Sequence, residues 1–180
     1  MEMSVRKTSF PSCEVVGFSF VFIVGTLLHM AYDWSGDDAI VGIFAPVNES
    51  IRELLKMVFT PGLILLFLEL LFCSEIPTAS FLSGKAVGIY VMCVTILGGL
   101  YSYSLVIHYG LILDVLLMVI AIALGQLVSF KISPRIAADS TAGIISLVML
   151  VLLGASFVVF TFLPPHWEFF RDSITGAFGI

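Results

Sequence analysis

The chain has 180 residues, of which 59% are hydrophobic and only 12% charged, and its mean hydropathy is +1.13. A water-soluble domain is typically about 45–50% apolar and about 25% charged, so this composition excludes a water-facing globule and points to burial in a bilayer. The net charge of −5, with no long run of Lys or Arg, excludes nucleic acid as a partner.

At this length a single domain, residues 1–180, is expected. Arg6, Lys7 and Pro11 form a basic lead-in. The apolar run 15–32 follows, long enough to cross the hydrocarbon core as a retained first helix rather than a cleaved leader. A polar loop from Asp33 to Ala45 leads to Pro46, which is placed to open a helix. That helix is expected to carry Glu49, Arg52, Glu53 and Lys56 into a second span at about 54–72, kinked ahead of Pro61. The alternative is a separate re-entrant piece at 46–56.

A polar connection at 73–85, with Pro77, Gly84 and Lys85, precedes the third span at about 86–107. A tight turn at His108-Tyr-Gly110 joins it to the fourth, about 111–130. Beyond Pro134 and Arg135 the fifth runs over about 142–163 and stops at Pro164-Pro165. Trp167, Phe169 and Phe170 in the tail suit the headgroup zone. Cys13, Cys73 and Cys93 lack metal-site spacing and read as small apolar packers. The expected fold class is thus an all-α membrane helical bundle of about five spans. Arg6, Lys7, Lys85, Lys131 and Arg135 share one face, which puts the N-terminus inside and the C-terminus outside.

This topology gathers His29, His108 and His166 at the outer face, with Asp33, Glu49, Glu53 and Asp172. Asp114 lies about one turn inside the fourth span, where an ionisable group suggests function by default. His29 and Asp33 are four residues apart, as are Glu49 and Glu53, so each pair is expected to share a helix face. A divalent metal such as zinc would relieve the repulsion, with His29, Asp33, Glu49, Glu53 and His108 as ligands. Glu49, Glu53 and Asp114 are the candidate catalytic groups, as general base or in activating water.

A ligand-free reading stands beside this one. Arg52 follows Glu49 by three residues and Lys56 follows Glu53 by three, so the helix can neutralise its own acids. Ser50-Ile-Arg-Glu53 also fits a capping box. Spacing leaves both readings open. The function classes are then a membrane-embedded hydrolase or transferase, metal-dependent or not, for a lipid or lipid-linked substrate; a small cation or solute transporter or binder; or a non-catalytic membrane partner subunit. The bilayer itself is a partner in all three.

The segment Pro46-Val-Asn-Glu-Ser-Ile-Arg-Glu-Leu-Leu-Lys56 resembles the motif of a family of uncharacterised bacterial multi-pass membrane proteins. That motif reads Pro-Val-Asn-Glu-Ser-Val-Trp-Glu-His-Leu-Lys. The likeness extends to His29-Met-Ala-Tyr-Asp-Trp34, to Leu113-Asp-Val-Leu-Leu117 with Gly125-Gln126, and to the ending from Phe160 to Ile180. Pro46, Asn48, Glu49, Ser50, Glu53 and Lys56 match, whereas Arg52 stands in place of Trp and Leu54 in place of His. The resemblance implies a bacterial cytoplasmic-membrane protein and supplies no reaction. If the family's His is a metal ligand, Leu54 weakens the metal reading here.

Overall fold

A computed structural model describes residues 10–72, 77–104, 110–136 and 139–180. Within them the helices are α1 (Phe10–Trp34), α2 (Ala39–Phe44), α3 (Ile51–Leu54), α4 (Lys56–Phe72), α5 (Thr78–Ser104), α6 (Leu111–Ile132) and α7 (Ser140–Phe162). A 3₁₀ turn at Glu168–Phe170 lies in the tail. Among the described residues the one isolated β pairing is an antiparallel bridge between Arg171 and Phe178. Five stretches are long and apolar enough to cross a membrane: Ser12–Trp34, Ile51–Phe72, Thr78–Ser102, Leu111–Ile132 and Ser140–Phe162. Many of their residues are Val, Ile and Phe, which favour strands in water. In lipid every backbone N–H must find its acceptor within the segment, and that selects helix.

The helix α5 is central. It packs most extensively on α6 and also touches α7 and α4, while α1 closes the bundle against α4 and α6. A Cβ on Gly88 would lie 2.7 Å from the Gly125 carbonyl oxygen, and one on Gly125 would lie 2.7 Å from that of Gly88. Two glycines in register therefore let α5 and α6 meet backbone to backbone. Val58, Phe81, Ala121 and Ile122 fill the core, whereas Ile23, Leu116, Val151 and Leu152 face outward, as a lipid-contacting surface requires.

Several expectations are corrected. The third span begins at Thr78 rather than Ala86, because Ser80, Ser83 and Lys85 are buried inside the bundle instead of lying in a polar loop. Between Asp33 and Ala45 the chain forms α2, capped by Asp38, whose Oδ1 accepts from the N–H groups of Ile40 (2.7 Å) and Val41 (3.3 Å). Pro46 does not open the next helix, whose N-cap is Ser50. The helical interruption comes at Leu55, between α3 and α4, and α4 continues through Pro61. Pro61 has no N–H for the Met57 carbonyl one turn back. Gly25 of α1 packs there, and a Cβ on it would come within 2.2 Å of that oxygen. Cys13 is disulfide-bonded rather than a free packing thiol, while Cys93 is free and buried.

Candidate functional site

The segment joining α2 to α4 is organised by its own polar side chains. Asn48 Oδ1 accepts from Ser50 N–H at 3.0 Å, and Asn48 Nδ2 donates to the Gly179 carbonyl at 3.3 Å. Ser50 Oγ accepts from Glu53 N–H at 3.3 Å, forming half of the expected capping box. The other half does not form. The Glu53 carboxylate reaches past Ser50 to the N–H of Val47, 3.2 Å from Oε2.

Glu53 instead anchors a buried ionic knot. Its Oε2 lies 2.7 Å from Lys56 Nζ, and its Oε1 accepts from Arg52 Nη1 and from Thr161 Oγ1 at 3.0 Å. Lys56, fully buried, also donates to the carbonyls of Gly42 (2.7 Å) and Ala45 (3.2 Å) and to Thr161 Oγ1 (2.7 Å). Arg52 Nη2 donates to the Ser156 carbonyl at 2.5 Å. The same guanidinium lies over the rings of Phe157, Phe160 and Phe170, 5.2–5.8 Å from their centroids. Both Glu53 oxygens are thereby engaged, and the knot ties α2, α3 and α4 to the end of α7. This is a structural arrangement: a buried charge stripped of its partner costs several kcal/mol.

The tail folds back over this end of the bundle. Ile180 N–H donates to the Thr161 carbonyl at 3.1 Å, and Ser173 Oγ donates to the Glu49 carbonyl at 3.1 Å. The Asp172 carboxylate accepts from the N–H groups of Ile174 (3.0 Å) and Thr175 (3.3 Å) and from the Thr175 hydroxyl. Burial alone would raise its pKa, but these donors outweigh burial and hold it below the usual carboxylate range.

Outside the knot, His29 Nε2 of α1 lies 3.5 Å from Glu49 Oε1, and both side chains are about one-third exposed. His29 Nδ1 and Asp114 Oδ1 are buried without a hydrogen-bond partner. Burial pushes the Glu49 carboxyl up; His29 opposes the shift, while Asp172, Asp114 and Asp33 add to it. His29, Glu49, Asp114 and Asp172 thus form one electrostatic neighbourhood, with exposed Asp33 at its edge.

Glu53 is not part of that group. Glu49 precedes α3, so the two carboxylates do not share a helix face, and Arg52 pairs with Glu53 rather than with Glu49. His166 is exposed, its ring 4.8 Å from that of Phe178. His108 lies outside the described residues, and so does any pairing it makes with Asp114. Among the described residues no three His, Cys, Asp or Glu side chains are arranged to hold a metal ion.

A second buried cluster sits at the opposite end of the bundle, made by Glu14, Glu69, Lys85, Gln126 and Ser129. Sequence reading passed over it. Lys85 falls in the stretch read as a polar connection, and no motif marks Glu14 or Glu69. The available signal was an acid immediately before the first apolar run and another near the end of the second.

The chain belongs to a family of unknown function (DUF6512), whose model matches residues 3–180. No curated protein and no solved structure matches it.

Proposed function

We propose that this protein binds a small cationic solute at the tail end of its bundle and passes it across the membrane, with His29, Glu49 and Asp114 as the recognition site. One observation carries the reading. Glu49 is surrounded by three further acids, Asp172, Asp114 and Asp33, and one imidazole, while His29 Nδ1 and Asp114 Oδ1 are buried without partners. An acidic, half-exposed cluster with unused polar atoms concentrates cations, and ionisable groups within a bundle mark solute pathways. The distribution of Lys and Arg supports an extracytoplasmic position for this end, with the chain in a bacterial cytoplasmic membrane.

The test is equilibrium binding of radiolabelled sodium and of labelled ethylammonium to purified protein in nanodiscs, followed by uptake into proteoliposomes. Saturable binding that both Glu49→Gln and Asp114→Asn remove, in variants that still fold, is the expected result. Binding that neither variant alters, or no binding by the wild type, overturns the reading.

The His29–Glu49 pair favours a second reading, a membrane-embedded hydrolase or transferase acting on a lipid or lipid-linked substrate. An imidazole oriented by a carboxylate can take a proton from water or an alcohol. Here His29 is the base and Glu49 its positioning residue, and Asp114 is near enough to feel the imidazole's charge. In a metal-dependent form, His29 and Glu49 supply two ligands to a divalent ion such as zinc, which elemental analysis of chelator-free protein tests. Turnover of a lipid extract that survives His29→Ala would end this reading.

A further inference from the structure

The cluster at the opposite end of the bundle draws one residue or more from each of four helices. Glu14 comes from α1, Glu69 from α4, Lys85 from α5, and Gln126 and Ser129 from α6. Lys85 Nζ lies 2.8 Å from Glu14 Oε1 and 2.7 Å from Glu69 Oε2. It also donates to Gln126 Oε1 at 3.4 Å, and Ser129 Oγ donates to Glu14 Oε1 at 3.1 Å. All five side chains are more than nine-tenths buried.

The charges do not balance. Among the described residues the cluster holds two carboxylates against one ammonium, which leaves one negative charge in excess inside an apolar bundle. An uncompensated ion in such a setting is strongly disfavoured, and the group neutralises itself by taking up a proton.

Unused atoms mark where such a proton would sit. Glu14 Oε2 and Glu69 Oε1 are buried without a hydrogen-bond partner, and so is Nε2 of Gln126, itself 5% exposed. Gln126 Nε2 and Glu69 Oε1 both face the bare backbone of Gly17, where a Cβ would stand 2.7 Å from the first and 3.5 Å from the second. Beside them Lys85, Gly88, Gln126 and Ser129 line a small cavity with room for about one water molecule. A glycine, an amide donor and a carboxylate acceptor thus leave polar space on the open side of the ion pair.

We propose that this cluster is an intramembrane proton-binding site, in which Glu14 and Glu69 share one exchangeable proton while Lys85 holds the carboxylate that remains charged. Uptake forms one O–H bond at Glu69 Oε1 or Glu14 Oε2 and breaks one in the hydronium ion that donates the proton, which leaves as water, and the bound state is electrically neutral. Nothing here depends on the cluster around His29, so either site stands if the other fails.

Infrared difference spectroscopy of the reconstituted protein at neutral pH counts protonated carboxyls and decides the matter. Wild type is expected to show one cluster carboxyl proton per chain. Glu14→Gln and Glu69→Gln should each show none, since one carboxylate then matches Lys85, and Lys85→Met should show two. If Lys85→Met does not fold, the two Gln variants are sufficient. A wild-type carboxyl signal identical to that of both Gln variants overturns the proposal. So does a signal that sodium abolishes at constant pH, because the occupant would then be a metal cation.

Discussion

The Thr161 hydroxyl accepts a hydrogen bond from Lys56 at 2.7 Å and donates to Glu53 at 3.0 Å, joining residues 105 and 108 positions apart in the chain. One hydroxyl therefore locks the end of α7 onto a salt bridge made near the start of α4. Removing it takes one hydrogen bond from each of two buried ions, which still pair with each other. Thr161→Val keeps the shape and is expected to lower unfolding stability by about 1–3 kcal/mol. Glu53→Gln leaves Arg52 and Lys56 unbalanced and should cost about 3–5 kcal/mol. Thermal unfolding in detergent, with Glu49→Gln as the mild control, measures both. Equal stability of Glu53→Gln and Glu49→Gln would remove the knot from its structural role.

Two carboxylates outside the spans, Asp172 and Glu49, respond to pH in opposite senses. Asp172 is held below the ordinary aspartate value of about 3.9 by its hydrogen bonds. Its contribution is therefore complete above that value and is lost as pH falls through the folded-state value. Glu49 is raised above the ordinary glutamate value of about 4.3 by burial and its acidic neighbours. Folding thus favours its protonated form, and that contribution is present at low pH and disappears as pH rises through the folded-state value. In melting curves recorded against pH, Asp172→Asn should flatten the acid limb, and Glu49→Gln should lessen the decline towards neutral pH. Unchanged limbs in both variants would contradict these assignments.

Helix approach predicts a contrast between two glycines. A Cβ at Gly25 would stand 2.2 Å from the Met57 carbonyl oxygen, a backbone atom with little freedom to yield, whereas one at Gly98 meets nothing within 4 Å. Gly25→Ala should destabilise by about 1–3 kcal/mol through overpacking of α1 on α4. Gly98→Ala should be neutral or stabilise by up to about 1 kcal/mol, because alanine restricts the unfolded chain and favours helix. Comparable losses in both would show that contact with α4 does not decide the effect.

Orientation is open to chemical labelling. Ile174 in the folded-back tail is 76% exposed. With the N-terminus inside, a cysteine placed at 174 should react with a membrane-impermeant maleimide added to intact cells. A cysteine placed at the N-terminus should react only after lysis. The reverse pattern would invert the topology and move the His29 cluster to the cytoplasmic side.

The sequence by itself determined the class of this protein and the rough course of its spans. Apolar runs long enough to cross the hydrocarbon core can be read without any partner, because burial in lipid depends only on composition and length. The spans expected at about 111–130 and 142–163 lie on α6 (Leu111–Ile132) and α7 (Ser140–Phe162). The local chemistry of Ser50 was equally legible, since an N-cap is made with the residue three positions ahead. Which charges meet was legible only for Lys56 and Glu53, three residues apart in the chain. Glu53 could have turned to Ser50 or to Arg52 and Lys56, and its further choice of Thr161 depends on where α7 packs. Lys85 read as a loop residue because its counter-ions, Glu14 and Glu69, arrive on two other helices. Glu49 and Glu53 parted company at a helix start that moved from Pro46 to Ser50, sending one carboxylate to His29 and the other inward. Periodicity records which face of a helix is apolar; only the packing of helices decides which buried charges share a partner.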